Sequence, residues 1–210
     1  MGGSTPPHRP GLRIKRFFDV LLALVVLPFL LPVLFVIAVA IVFDSRGPVF
    51  YRGVRTGRFG RPFHIYKLRT MVADAEHRGG GTTAMDDERV TRVGRMLRRY
   101  KLDELPQVFN VLKGEMSFVG PRPELPQYTD KYSASEQLIL SVPPGITDYS
   151  SLRFRHLDSS VGKQDADRVF EERVLPEKNR LRLRYVNERS FWGDILLIGQ
   201  TILALFRGRP

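Results

Sequence analysis

Cysteine is absent from the 210 residues. That excludes disulfide scaffolds, thiolate-ligated zinc, iron–sulfur clusters and thiol nucleophiles, and it fits a reducing compartment. Acidic residues are scarce beside basic ones, 22 against 33, leaving a formal net charge of +11. Such a balance points to polyanionic partners: nucleic acid, phosphorylated ligands or an anionic membrane surface. Internal repeats are missing, so a solenoid is excluded. Mean hydropathy is only −0.16, which excludes a protein of many membrane spans. With 43% hydrophobic and 26% charged residues the chain is no disordered polyelectrolyte, and its length suits one domain with its own core.

The most telling absence is local. From Val20 to Phe43 there is no charged or polar side chain. At about 1.5 Å per residue a helical run of this length reaches across a hydrocarbon core of roughly 30 Å. It is too long for a signal peptide and no small-residue cleavage site follows. Both flanks are basic, with Arg9, Arg13, Lys15 and Arg16 before the run and Arg46, Arg52, Arg55, Arg58 and Arg61 after it. A span gathers its basic residues on the cytoplasmic side. Two basic ends, with Pro28 and Pro32 between them as kink points, also fit a helix that enters one leaflet and returns to the same face. Charge alone leaves re-entry and a single span both open.

Residues 1–11 are rich in Gly, Pro and Ser and are expected to be disordered. After the apolar run, Pro48–Tyr51 and Pro62–Lys67 flank a turn around Gly57 and Gly60, which predicts a β-hairpin. Val72–His77 reads as a short helix and Gly79–Thr83 as a flexible loop. Helices are expected over Asp87–Tyr100, Pro106–Leu112, Glu124–Ser141 and Asp165–Val186, broken at Gly120–Pro123 and Pro143–Gly145. The closing stretch, Ile195–Phe206, is too short to span; with Trp192 at its edge it suits an interfacial helix or a helix completing the core.

Arg92, Arg95, Arg98 and Arg99 share one helical face and lead through Lys101 into Asp103-Glu104. Taken alone, an Asp-Glu pair ahead of Pro106 is helix capping. Beside this basic stripe the two carboxylates are expected to stay ionised, fit for a nucleophile or for oxygen ligands to Mg²⁺. Arg122 stands between Pro121 and Pro123, which stiffen the loop presenting it, and Arg suits bidentate phosphate contacts. Lys67 and Arg69 close the hairpin and are further candidates for phosphate contacts.

These strings occur in a fixed order: Lys15-Arg16-Phe17-Phe18-Asp19, Tyr66-Lys67-Leu68-Arg69-Thr70-Met71, Thr91-Arg92-Val93-Gly94-Arg95, Leu102-Asp103-Glu104-Leu105-Pro106-Gln107, Asn110-Val111-Leu112-Lys113-Gly114-Glu115-Met116-Ser117, Val119 to Glu124 and Pro144-Gly145-Ile146-Thr147. From Lys15 to Thr147 the chain resembles the bacterial sugar transferases, small monotopic polyprenyl-phosphate phosphoglycosyl transferases. The resemblance implies transfer of a sugar-1-phosphate from a UDP-sugar to polyprenyl phosphate with release of UMP, opening exopolysaccharide or other glycoconjugate assembly. It implies Asp103 as nucleophile forming a covalent phospho-sugar enzyme, Glu104 as Mg²⁺ ligand, and Arg98 and Arg122 as phosphate contacts. It also implies a mainly α (α+β) fold: a re-entrant, Pro-kinked membrane helix on a small cytosolic domain with a β-hairpin and interfacial amphipathic helices. The expected segments are residues 1–11, a disordered start; 12–45, the membrane helix; 46–190, the catalytic domain; and 191–210, the interfacial helix. The expected place is the cytoplasmic face of the bacterial inner membrane, with no nucleic acid partner and no oligomer specified. A different class remains open on charge alone, a membrane-tethered binding module for anionic lipid or nucleic acid. The chain departs from the family in having Leu31 before Pro32 where Ser-Pro is usual, Gly53 in place of Gln, and Asp148-Tyr149-Ser150-Ser151 after Thr147.

Overall fold

The computed structural model describes residues 11–75, 87–154 and 166–206. Residues 1–10 of the segment expected to be disordered, the Gly79–Thr83 loop and the end of the Val72–His77 helix lie outside the described residues; Gly11, the last of that expected segment, is helical instead. Over Val72–Ala75 the chain makes only a turn, with Ala75 N–H donating to the Val72 carbonyl at 3.1 Å.

Helix α1 runs uninterrupted over Gly11–Asp44, with Pro28 and Pro32 inside it. It is long and apolar enough to cross a membrane by length and composition. Ala23, Leu30, Leu34, Ile37 and Ile41 form one buried stripe, spaced by seven, four, three and four residues. That stripe joins the main core with Leu68, Leu97, Val108, Val111 and Met116. The opposite faces expose large apolar side chains, among them Phe17, Phe29, Phe35 and Phe43. A surface of that kind marks an interaction with something other than water.

Four short strands follow. β1 (Phe50–Tyr51) pairs antiparallel with β4 (Lys67–Leu68), and β2 (Val54–Thr56) pairs antiparallel with β3 (Pro62–His64). The expected hairpin is present. Helix α2 covers Arg92–Tyr100, starting later than expected. Val90 is held by a bridge to Met71, and Thr91 caps the helix by accepting from Gly94 N–H at 2.9 Å. A 3₁₀ turn, Leu102–Glu104, leads into α3 (Gln107–Lys113).

β5 (Ser117–Val119) pairs in parallel with β6 (Gly145–Thr147). Between them the expected Glu124–Ser141 helix is two pieces, α4 (Pro126–Thr129) and a 3₁₀ turn over Glu136–Ser141. Pro126 opens the first piece. Ser133 ends the regular path by bonding Glu136 through both its N–H and its hydroxyl, at 2.9 and 2.7 Å. α5 (Tyr149–Arg153) follows β6. The long charged helix is α6 (Ala166–Val169), a π-helical turn (Phe170–Val174) and α7 (Leu175–Glu188). Pro176 has no N–H for the carbonyl four residues back, which explains a wider turn just before it. α8 (Phe191–Phe206) closes the fold. Leu197 packs with Val119 and Tyr185, while Trp192, Leu196, Ile202 and Leu203 stay exposed. The helix thus completes the core on one face and leaves an apolar face free.

Candidate active site

The dyad sits where α2 ends. Lys101, with φ of 58°, takes the left-handed conformation that caps α2 and turns the chain into the 3₁₀ turn carrying Asp103 and Glu104. A non-glycine residue held there stores strain of the sort common at functional sites. Lys67 arrives from β4. Its placement depends on Asn110 of α3, fully buried, whose side chain accepts from Tyr66 N–H at 2.9 Å and donates to the His64 carbonyl at 2.8 Å.

Arg122 arrives from the loop after β5. Gly145 N–H donates to the Pro121 carbonyl at 3.0 Å, and Thr56 N–H to the Glu124 carbonyl at 3.0 Å, so both ends of the Pro121–Pro123 segment are pinned. Gly145 has to be glycine: a Cβ there would lie 2.0 Å from the Gly120 nitrogen. Within the loop, Arg122 N–H donates to the buried Asp148 carboxylate at 3.3 Å. Asp148 also caps α5, accepting from Ser151 N–H at 2.7 Å.

Glu104 is thereby held between two cations. Arg122 grips it with two nitrogens, Nη1 donating to Oε2 at 2.9 Å and Nη2 to Oε1, while Lys67 Nζ lies 3.0 Å from Oε1. Burial alone would raise its pKa, but Arg122 and Lys67 outweigh it and hold the carboxyl well below the usual range. Asp103 is only 7% exposed, with Lys67 Nζ 3.5 Å from its Oδ2. Burial, with the charge of Glu104 behind it, pushes its pKa up against the pull of Lys67, Lys101 and Arg98. This corrects the expectation that basic neighbours lower both carboxyl groups. Asp103 Oδ1 is buried without a hydrogen-bond partner.

Of the residues picked from sequence, Asp103, Glu104, Lys67 and Arg122 are brought together. Arg98 stands beside them, donating to Thr70 Oγ1 at 3.0 Å and adding its charge to the field at Asp103. Arg69 points elsewhere. Its guanidinium, 6% exposed, donates to the carbonyl and hydroxyl of Ser45 at 2.6 and 2.9 Å, where α1 leaves the body. Sequence reading did not pick out Asn110, Glu124, Lys178 or Arg182 as site residues, and it marked Asp148 only as part of a departure from the family. Arg182 is fully buried, with Nη2 2.5 Å from Glu124 Oε1, and Lys178 is 3.9 Å from the same oxygen. Both basic residues lie on a charged helix whose pattern suggests a solvated face.

The set can hold a hard cation. Asp103 Oδ1 is unpartnered and Glu104 Oε2 has a single partner. Two carboxylates fit Mg²⁺ in sites completed by substrate phosphates and water. Among the described residues no three or more His, Asp or Glu side chains are grouped so as to hold a metal ion. Two carboxylates face Lys67, Lys101, Arg98 and Arg122, an excess of positive charge suited to a diphosphate.

A sequence profile of the bacterial sugar transferases matches residues 11–208. The chain belongs to that family. It is similar to the UDP-N-acetylgalactosamine-undecaprenyl-phosphate N-acetylgalactosaminephosphotransferase of Aeromonas hydrophila, 35% identical over 98% of this chain and 47% of the relative. It is also similar to UDP-glucose:undecaprenyl-phosphate glucose-1-phosphate transferases. The one from Caulobacter vibrioides is 35% identical over 97% of this chain and 73% of the relative, and the one from Escherichia coli is 36% identical over 98% and 42%. The chain therefore spans less than half the length of two of these three sugar transferases. In the family context the strings around Asp103-Glu104 and Arg122 are parts of one assembled cage.

Proposed function

We propose that this bacterial sugar transferase moves a sugar-1-phosphate from a UDP-sugar to undecaprenyl phosphate and releases UMP, through a phospho-sugar ester on Asp103. The observation that carries the mechanism is the asymmetry of the dyad. Glu104 is neutralised by Arg122 and Lys67, whereas Asp103 keeps a buried, unpartnered oxygen within the same cage.

Asp103 Oδ1 attacks the phosphorus next to the sugar. A P–O bond to Asp103 forms, the bond linking that phosphorus to UMP breaks, and the electron pair leaves on the UMP phosphate. An ionised phosphate oxygen of the lipid then attacks the same phosphorus and frees the Asp103 carboxylate. Neither step needs a proton donor, so positioning and charge neutralisation do the catalysis. Burial raises the basicity of Asp103 and makes it the stronger nucleophile once ionised. Arg122, with Arg98 and Lys67, neutralises charge gathering on the transferred phosphoryl oxygens. Glu104 would hold Mg²⁺, which when bound would supply further charge neutralisation to the diphosphate.

The attachment of α1 supports a monotopic arrangement with both helix ends on the cytoplasmic face. At its start Arg16 donates to the Val111 and Leu112 carbonyls, and Asp19 accepts from Phe118 N–H at 3.1 Å. At its end Asp44 accepts from Val93 N–H at 3.0 Å. One folded body grips both ends.

The test is isotope exchange. With UDP-sugar, Mg²⁺ and labelled UMP but no lipid acceptor, the wild type should return label to UDP-sugar, as a two-step mechanism requires. D103N should lose both exchange and turnover, and exchange that survives in D103N overturns the nucleophile.

A further inference from the structure

The groove between α5, α7 and α8 shares no residue with the cage around the dyad. It is a shallow groove, largely open to solvent, of about 510 Å³, lined in part by Tyr149, Arg153, Glu177, Arg180, Arg184 and Gln200. Three arginines thus face one acid. Glu177 sits 3.9 Å from Arg153, and Arg184 turns to Glu188 at 2.8 Å, but these pairs are exposed and weak. Arg184 also lies over the Tyr149 ring, 5.1 Å from its centroid. Arg180 is exposed and carries no ion pair among the described residues. Guanidinium groups arranged this way match a phosphate diester.

The far wall decides what kind of phosphate. Gln200 stands four residues after Leu196 and three before Leu203, so these share one face of α8, and Trp192 lies one turn before Leu196 on the same face. Trp192 is 72% exposed, Leu196 66% and Leu203 57%. The groove therefore opens onto an apolar stripe. The start of α8 is tied to the start of α1, where the basic collar meets the apolar run. Lys15 Nζ lies 2.5 Å from Asp194, and the Phe18 and Phe191 rings meet edge to face at 5.3 Å. The start of α8 therefore lies beside the basic collar of α1, where an embedded α1 would meet the lipid headgroups.

We propose that this groove is a second lipid site, holding the headgroup of an anionic phospholipid such as phosphatidylglycerol. Arg153, Arg180 and Arg184 take the phosphate, and the Trp192, Leu196 and Leu203 face lies against the acyl chains. The proposal rests on the membrane-bound reading of the protein but not on the chemistry of Asp103.

Trp192 is the single tryptophan of the chain and supplies the readout. The full chain is placed in phosphatidylcholine nanodiscs containing an equal minor fraction of brominated phosphatidylglycerol or brominated phosphatidylcholine. Wild type should be quenched more strongly by the brominated phosphatidylglycerol, with enrichment of about fivefold for each arginine engaged. The variant with Arg153→Gln, Arg180→Gln and Arg184→Gln should lose that preference while retaining UMP release and thermal midpoint. Equal quenching by both lipids in the wild type, or a preference surviving in the triple variant, overturns the site. A preference erased by inorganic phosphate at matched ionic strength assigns the groove to a soluble anion and overturns the lipid. Absence of quenching by either lipid shows α8 clear of the bilayer and also overturns it. UMP release in the same discs keeps that failure separate from failure of the transferase reading.

Discussion

Asp103 and Glu104 are chemically near-identical neighbours given opposite environments, and the difference is made by Arg122. Its forked guanidinium spans both oxygens of Glu104, a geometry that a lysine ammonium does not reproduce. Arg122→Lys should therefore lower turnover by about 10²-fold, the usual cost of removing one preorganised donor from a charge-stabilising site. Arg122 is in turn aimed by Asp148, which accepts its backbone N–H and caps α5. Asp148→Ala should cost about 1 kcal/mol of stability as a lost cap. It should also lower turnover without changing the Mg²⁺ concentration needed for half-activity, because Asp148 touches neither Asp103 nor Glu104 in the cage. Steady-state UMP release across a Mg²⁺ series checks both variants. Full activity in Arg122→Lys would remove the bidentate grip from the mechanism.

At the scale of elements, the cage is built by close backbone approach and by buried charge, and the two were unequally legible in the sequence. The hairpin, the basic helix and the Asp-Glu pair could be read because local pattern dictates them. Arg182 could not, since its burial against Glu124 is a contact across 58 residues, and nothing in the charge pattern of α7 separates it from its solvated neighbours. Asn110 is similar: its motif string was visible, but its work on the His64–Tyr66 backbone requires the fold. The opposite pKa directions of the dyad were also hidden, because burial sets Asp103 and burial is not a sequence property. Gly145 tests the close approach. A Cβ there meets the Gly120 nitrogen and carbonyl oxygen at 2.0 and 2.5 Å, both rigid backbone. Gly145→Ala should cost about 3 kcal/mol or more, seen as a large drop in thermal midpoint, and a near-normal midpoint would mean that β5 and β6 need not lie so close. Lys178 tests the buried charge. Burial first, and then Arg182 and Arg122, push its pKa down to about 8 from 10.5, against the pull of Glu124 and Asp148. Between those values the unfolded chain binds more protons than the folded one, so stability rises with pH. Tyr132, raised to about 12 chiefly by burial, opposes the trend above its ordinary value of 10.0. The expected rise is thus clearest from about pH 8 to 10 and amounts to about 2 kcal/mol or less. Thermal midpoints over that range should climb in the wild type and lie flat in Lys178→Met; parallel curves would contradict the assignment.

For the whole molecule, the proposed reaction raises the question of how one folded body could reach a lipid phosphate while staying on a membrane surface. A helix of α1's length would measure about 51 Å if straight, longer than a hydrocarbon core of roughly 30 Å. Yet both its ends are fastened to one body, by Arg16 and Asp19 at the start and by Asp44 and Ser45 at the finish. A body on one side of a bilayer cannot hold both ends of a spanning helix. The buried stripe from Ala23 to Ile41 adds the same constraint along the length, because the helix lies against the body rather than leaving it. In the proposed re-entrant arrangement basic residues are expected at both ends, since both would meet the same anionic headgroups. The absence of cysteine makes the arrangement directly measurable. Single cysteines replacing Ser4 and Arg46 should both react with an impermeant maleimide in inside-out vesicles, and neither should react in right-side-out vesicles. Labelling of the two positions from opposite sides would require the contacts at one end of α1 to open in the membrane. The cage could then no longer be held at both ends of one embedded helix, and the route by which a lipid phosphate reaches Asp103 would have to run along a different face.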